Sequence, residues 1–112
     1  MTVHGRDLIA GIPKAIQLCE EEVREALNEP VERVVEAVLQ GLEHCPPELA
    51  ADIVDQGIVL AGGGALLRNL CERLHQATGL QVRLAAAPLT AVADGAGRVL
   101  EELDLLEDVG LR

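Results

Sequence analysis

The chain contains no phenylalanine, tyrosine or tryptophan, and no serine either. These absences exclude a pocket walled by aromatic rings and a serine or tyrosine nucleophile. Hydrophobic residues still make up 49% of the 112 residues, so any core is filled with Leu, Val, Ile and Ala, which suit close packing of helices on a sheet. Long apolar runs are lacking too. None approaches the roughly 20 residues that cross a bilayer, and the start from Met1 to Asp7 has no apolar stretch of the kind a secretion signal carries. The expected location is the cytoplasm. Positive charge is scarce, with 9 Lys and Arg against 19 Asp and Glu and a formal net charge of -10. Such a surface repels phosphate backbones and anionic headgroups, which argues against nucleic acid and against direct membrane insertion.

Cys19, Cys45 and Cys71 form an odd, widely spaced set. That pattern does not make a disulfide framework, and the three read as small buried apolar residues in a reducing compartment. His4, His44 and His75 are too scattered for a metal site. Glu72 and His75 share one helical face, where a surface charge pair is the expected role. Cys71 has His75 four residues on, yet no acid stands ready to orient a cysteine–histidine pair. The length allows one compact domain, or a piece of one, and is too short for two lobes around a cleft.

Breakers and periodicity predict the elements. Thr2 to Leu18 carries short apolar stretches around Gly5, Gly11 and Pro13, which predicts two short strands joined by an irregular turn. Val23, Leu27, Val31, Val34, Val38 and Leu42 then recur at helical spacing. Pro30 interrupts them, so we expect a short helix from Glu20 to about Asn28 and a longer one opening at Pro30. The acids Glu20, Glu21 and Glu22 read as a solvated first turn. Pro46-Pro47 ends that helix and Pro47 opens another through Val54.

Gly57 closes it and admits the unbroken apolar run Ile58-Val59-Leu60-Ala61, the pattern of a strand buried on both faces. Helical spacing returns from Ala65 to Ala77, with Leu66, Leu67, Leu70 and Leu74 predicted inward and Thr78-Gly79 as the stop. Leu80 to Leu84 reads as a second strand. A last helix is expected from Pro88, with Val92, Val99, Leu100 and Leu103 on its buried side. Gly95 and Gly97 within it suggest a neighbour packed close to the backbone. The order strand, helix, strand, helix implies a parallel pair with a right-handed crossover.

The sharpest local feature is Gly62-Gly63-Gly64 between a strand and a helix. Residues without a Cβ let a ligand approach the main chain, and the first amides of a helix carry partial positive charge. No Lys-Ser or Lys-Thr follows the glycines, so the turn is not a Walker-type loop. Nor is the spacing that of a dinucleotide fold, and Val82 to Pro88 offers no acid for a ribose.

Several short blocks stand together in one order: Gly5-Arg6-Asp7-Leu8, Gly11-Ile12-Pro13, Glu25-Ala26-Leu27, Pro46-Pro47-Glu48-Leu49-Ala50, the glycine turn, Thr78-Gly79 and Pro88-Leu89-Thr90. In that order the chain resembles the C-terminal part of the MreB family of bacterial actin-like proteins. The resemblance covers nearly the whole chain. It implies an α/β fold, part of an actin-like (ribonuclease H-like) ATPase domain. Residues 1–18 would be a strand remnant of the small subdomain, and residues 19–112 the C-terminal part of the large subdomain of the second lobe.

In that family ATP or ADP lies between two lobes and the corresponding turn passes its adenosine and sugar. The implied nucleotide-binding residues here are Gly62, Gly63, Gly64 and Ala65, acting through main chain and shape. Ala61 stands where the family commonly has a threonine, and Ala87 where it commonly has an acid. The family's phosphate loops, its Mg²⁺ ligands and a Glu and a Lys at the adenosine have no counterpart in these residues. The chain alone is therefore expected not to hydrolyse ATP, and no catalytic or metal-ligating residue is assigned.

The resemblance further implies ATP-dependent filaments under the cell membrane that guide wall synthesis and cell shape. Implied partners are further copies of the chain and a RodZ-like membrane adaptor. A different reading is a stand-alone or truncated interaction module that has lost the nucleotide and self-associates through uncovered sheet edges and helix faces.

Overall fold

The structure, a computed structural model, describes residues 1–108. Two compact units divide the chain, Met1–Ala37 and Val38–Arg112. Residues 109–112 of the expected 19–112 range lie outside the described residues.

The first unit opens with the expected hairpin. β1 (Thr2–Arg6) pairs antiparallel with β2 (Pro13–Gln17), with Val3 opposite Ile16 and Arg6 opposite Pro13. Asp7 organises the connection. Its Oδ1 accepts the amides of Ile9 at 2.9 Å and Ala10 at 3.0 Å, and its Oδ2 lies 3.5 Å from the Lys14 ammonium. Those bonds to Ala10 and Ile9, with Lys14 behind them, hold the Asp7 carboxyl below its ordinary value.

α1 runs unbroken from Glu20 to Glu43 with Pro30 inside it. The expected break at Pro30 does not occur. Proline removes one rung of the ladder and crowds the preceding turn, but Ala26 and Pro30 are exposed, so water can serve the orphaned carbonyl. Side-chain pairs four apart also straddle the proline. Glu29 meets Arg33 at 2.6 Å and Asn28 donates to Glu32 at 3.4 Å. The acids of the first turn do more than face solvent. Glu22 accepts the Cys19 amide at 2.9 Å, half of a capping box, and Glu20 meets Arg24 at 2.9 Å.

In the second unit α2 (Pro47–Gln56) begins at its proline as expected. β3 (Ile58–Leu60) and β4 (Val82–Leu84) form the parallel pair, Val59 opposite Arg83. Glycine is required at the entry to β3. Gly57 has φ 76°, and a Cβ there would run into the Gln81 carbonyl. That same carbonyl accepts the Ile58 amide at 2.7 Å.

α3 (Leu70–Thr78) packs on β4 and supplies the centre of the unit. Leu74 is fully buried, and Leu70 and Ala65 are buried beside the strands. Gly79, with φ 73°, closes α3 by donating to the His75 carbonyl. β3 is not buried on both faces. Ile58 and Leu60 are half-buried while Val59 is exposed, because successive strand side chains alternate and only one face is covered by a described element.

α4 (Ala91–Glu101) and the short α5 (Asp104–Asp108) end the described chain. Val99 is half-buried, but Val92, Leu100 and Leu103 are exposed, contrary to the buried side expected from their spacing. A Cβ at Gly95 or Gly97 would meet nothing within 4 Å, so no described neighbour presses on them. The cysteines are free, with Cys19 exposed and Cys45 and Cys71 half-buried rather than buried. No helix among the described residues is long and apolar enough to cross a membrane.

Candidate functional site

The glycine turn sits at the carboxyl end of β3, where open α/β sheets present their ligand crevices. Gly62 has φ 86° and ψ 169°, a conformation closed to side chains with a Cβ at ordinary cost. Its amide donates to the Pro88 carbonyl at 2.7 Å. The turn is thereby tied to the segment that follows β4.

A single turn of 3-10 helix then runs from Gly63 to Leu66. The helix expected from Ala65 therefore begins later, at Leu70. Leu67 is extended and Asn69 is left-handed at φ 66°, so the α-helical ladder cannot pass through them. This also accounts for the exposure of Leu66 and Leu67, which were expected inward. Leu70 and Leu74 keep the inward side.

The four nominated residues fall into two groups. Ala65 is buried and closes the turn through its amide, which donates to the Gly62 carbonyl at 3.2 Å. Its side chain lies inward and its amide is engaged within the turn. Gly63 and Gly64 are exposed and Gly62 is half-buried beside them. A Cβ at Gly62 or Gly64 would meet nothing within 4 Å, so the backbone there borders open space rather than a packed neighbour. Gly63 and Gly64 have no recorded partner for their amides among the described residues. The turn thus combines bare main chain, open space and two unengaged donors, the features by which a backbone grips a flat or polar ligand.

Two further residues shape this place. A Cβ at Gly63 would come within 3.6 Å of the Leu89 Cδ2, so Leu89 flanks the turn with an aliphatic wall. Pro88 contributes its carbonyl to Gly62 instead of opening a helix. Ala87 accepts the Thr90 amide at 3.2 Å, closing a turn, and α4 starts only at Ala91, where the Thr90 hydroxyl donates to Asp94 at 2.9 Å. Pro88-Leu89-Thr90 stood out in the sequence as a block, but nothing local there announces contact with residues some 25 positions earlier.

Neither of the other constellations builds a site. His75 Nδ1 engages the Leu80 carbonyl at 2.5 Å, and Glu72 accepts from Gln76 at 3.2 Å, so the two do not pair with each other. Among the described residues no three His, Cys, Asp or Glu side chains are placed to hold a metal ion.

Comparison with known proteins identifies relatives of the chain. The sequence profile described as MreB/Mbl protein matches residues 1–108. The cell shape-determining protein MreB of Escherichia coli K12 is 52% identical over 103 residues, which is 92% of this chain and 30% of that protein. Mbl of Bacillus subtilis is 42% identical over 106 residues, 95% of this chain and 32% of that protein. Among solved structures, MreB5 of Spiroplasma citri bound to ADP superimposes with a TM-score of 0.83 at 34% identity, covering 92% of this chain and 31% of that one. The same protein bound to AMPPNP gives a TM-score of 0.84 at 33% identity, covering 99% and 33%. The chain thus spans about a third of the length of the relatives it matches.

Proposed function

The chain belongs to the MreB/Mbl family, and we propose that it is the nucleotide-binding C-terminal portion of an actin-like protein that forms ATP-dependent filaments governing cell shape and wall synthesis. The observation that carries the nucleotide is the open, Cβ-free surface at Gly62 and Gly64 with the unengaged amides of Gly63 and Gly64, in a fold whose solved relatives were bound to ADP and AMPPNP. Gly62, Gly63 and Gly64 border the ligand, and Ala65 and the Pro88 carbonyl hold them in place.

The residues fit the adenosine end of such a ligand, where shape and main-chain donors suffice. They supply no phosphate loop and no Mg²⁺ ligand, so the bound metal would contribute charge neutralisation from residues other than these. Residues 1–18 serve as the small-subdomain strands and 19–112 as the large-subdomain portion. The family likeness also carries a cytoplasmic position at the inner face of the membrane, self-assembly, and a RodZ-like adaptor as a partner. The reading as a module that has lost the nucleotide is not favoured, since the turn keeps its three glycines and the open space beside Gly62 and Gly64.

The test is an ADP titration followed by backbone amide NMR. Shifts confined to residues 60–66 and to Leu89 and Thr90, with a dissociation constant of about 1 mM or weaker, are expected because few of the contacts that position the ligand are present. An absence of any shift at tens of millimolar, or shifts centred elsewhere, would overturn the assignment.

A further inference from the structure

Among all the Asp and Asn residues of the chain, only Asp94 precedes a glycine. Every other one precedes a residue whose Cβ crowds the approach of its amide nitrogen to the preceding side chain, and Gly95 has no Cβ. The Asp94 carboxyl carbon and the Gly95 nitrogen can therefore meet in a small ring without a steric obstacle of their own making. The surroundings add none. A Cβ at Gly95 would meet nothing within 4 Å, and residues 92–98 are all exposed.

The helical backbone opposes that ring, because it holds the Gly95 amide along the helix axis and away from the Asp94 side chain. Asp94 is also tied back by two bonds. Its amide donates to the Thr90 carbonyl at 2.8 Å, and its Oδ2 accepts the Thr90 hydroxyl at 2.9 Å. These restraints are as strong as α4 itself, and α4 is a weak helix. It has 11 residues, fewer than the roughly 12–15 at which an isolated helix becomes even marginal in water. Gly95 and Gly97 lie inside it, and glycine is the poorest helix former after proline. None of its residues is buried, and only Ala91 and Val99 are half-buried. Packing against described elements does little to keep it coiled.

We propose that Asp94–Gly95 is a self-modification site, at which aspartate converts to isoaspartate whenever α4 uncoils. The Gly95 nitrogen attacks Cγ of the Asp94 carboxylic acid. The N–Cγ bond forms, the Cγ–OH bond breaks, and the hydroxyl leaves as water with the amide hydrogen, giving a cyclic succinimide. Water then adds to one of its two carbonyl carbons. Cleavage of the N–Cγ bond restores aspartate, whereas cleavage between the nitrogen and the main-chain carbonyl carbon leaves the backbone running through Cγ, with the former main-chain carbonyl as the free carboxylate. The water lost is regained, no oxidant or other reactant is consumed, and mass and formal charge are unchanged. The additional backbone carbon breaks the helical register after residue 94. The Thr90 hydroxyl loses its Oδ2 acceptor, one residue beyond the Leu89 side chain that flanks the glycine turn.

Ageing the full chain for several weeks at neutral pH and body temperature tests this. Isoaspartate is quantified by methyl transfer from S-adenosylmethionine with isoaspartyl methyltransferase, and is located by electron-transfer fragmentation of peptides. Wild type is expected to accumulate it at position 94 in excess of all its other aspartates together. Asp94→Glu, which needs a larger ring, and Gly95→Ala, which restores a Cβ, should each lose the signal. Gly97→Ala leaves the reacting pair intact and strengthens only the helix, so it should slow formation by about fivefold, the equilibrium factor for a glycine-to-alanine exchange in a helix. Circular dichroism of fresh samples checks that each variant is folded as wild type is, and the exposure of all three positions predicts that it is. A wild type whose isoaspartate at 94 is absent, or no greater than at Asp52 or Asp55, overturns the proposal. So does a Gly95→Ala variant that reacts as fast as wild type. An unchanged rate in Gly97→Ala overturns it as well, because uncoiling of α4 would then not control the reaction.

Discussion

The Gly62 amide lies 2.7 Å from the Pro88 carbonyl, and this one hydrogen bond joins the glycine turn to the segment after β4. Because Gly62 also has φ 86°, its lack of a side chain serves the backbone conformation, whereas that of Gly64 serves only the space outside. The two can be separated. Gly62→Ala should lower stability by about 1–2 kcal/mol, the cost of a Cβ in the left-handed region. Gly64→Val should change stability by less than about 1 kcal/mol yet abolish ADP-dependent amide shifts by filling the open side. Urea unfolding and the nucleotide titration read the two effects independently.

Gly57 faces a harder limit. Any Cβ there meets the Gln81 carbonyl that accepts the Ile58 amide, and φ is 76°. Gly57→Ala should therefore cost at least about 2 kcal/mol and loosen the β3–β4 pairing. Chemical denaturation measures the first, and faster exchange of the Ile58 amide the second.

Leu74 is the one fully buried large side chain among the described residues. Leu74→Ala should destabilise the second unit by about 2–4 kcal/mol, and Leu66→Ala, at an exposed position, by less than about 1 kcal/mol. Equal costs from the two in urea titrations would contradict the inward assignment of α3.

The Asp7 carboxyl is held below its ordinary value of 3.8 by the amides of Ala10 and Ile9 and by Lys14. A depressed folded value means that the turn's ordering is fully present above 3.8 and is lost as pH falls through the lower folded value. Amide exchange at Ile9 and Ala10 should accelerate in that acidic window. Asp7→Asn, which keeps an acceptor but no charge, should remove the pH dependence.

Pro30 leaves α1 without one rung. Pro30→Ala restores a donor for the Ala26 carbonyl and should stabilise the helix by about 1–3 kcal/mol. A fall in helical content by circular dichroism would show that the proline has a positive role.

Where the pattern was local, the sequence could be read directly. The hairpin followed from Gly5, Gly11 and Pro13, the start of α2 from Pro47, the end of α3 from Gly79, and the parallel pair from the order of elements. Pro30 misled because propensity treats a proline as a boundary, while the pairs Asn28–Glu32 and Glu29–Arg33 span it. The late start of α3 was hidden because Leu66, Leu67, Leu70 and Leu74 share a helical period with or without a break at Asn69. In the site, the glycines were visible through what they lack. Pro88 and Leu89 were not, since a carbonyl acceptor and an aliphatic wall supplied from so far along the chain leave no mark on spacing. The stripe on α4 shows the reverse case, a clear period with no covering element among the described residues.

Among the described residues of the second unit few side chains are fully enclosed, and most of what is shielded there lies around Leu74. Deuterium uptake should therefore be graded rather than all-or-none. Amides of α3 and of the β3–β4 rungs would be slowest to label, and those of α4 would label through openings that leave the centre closed.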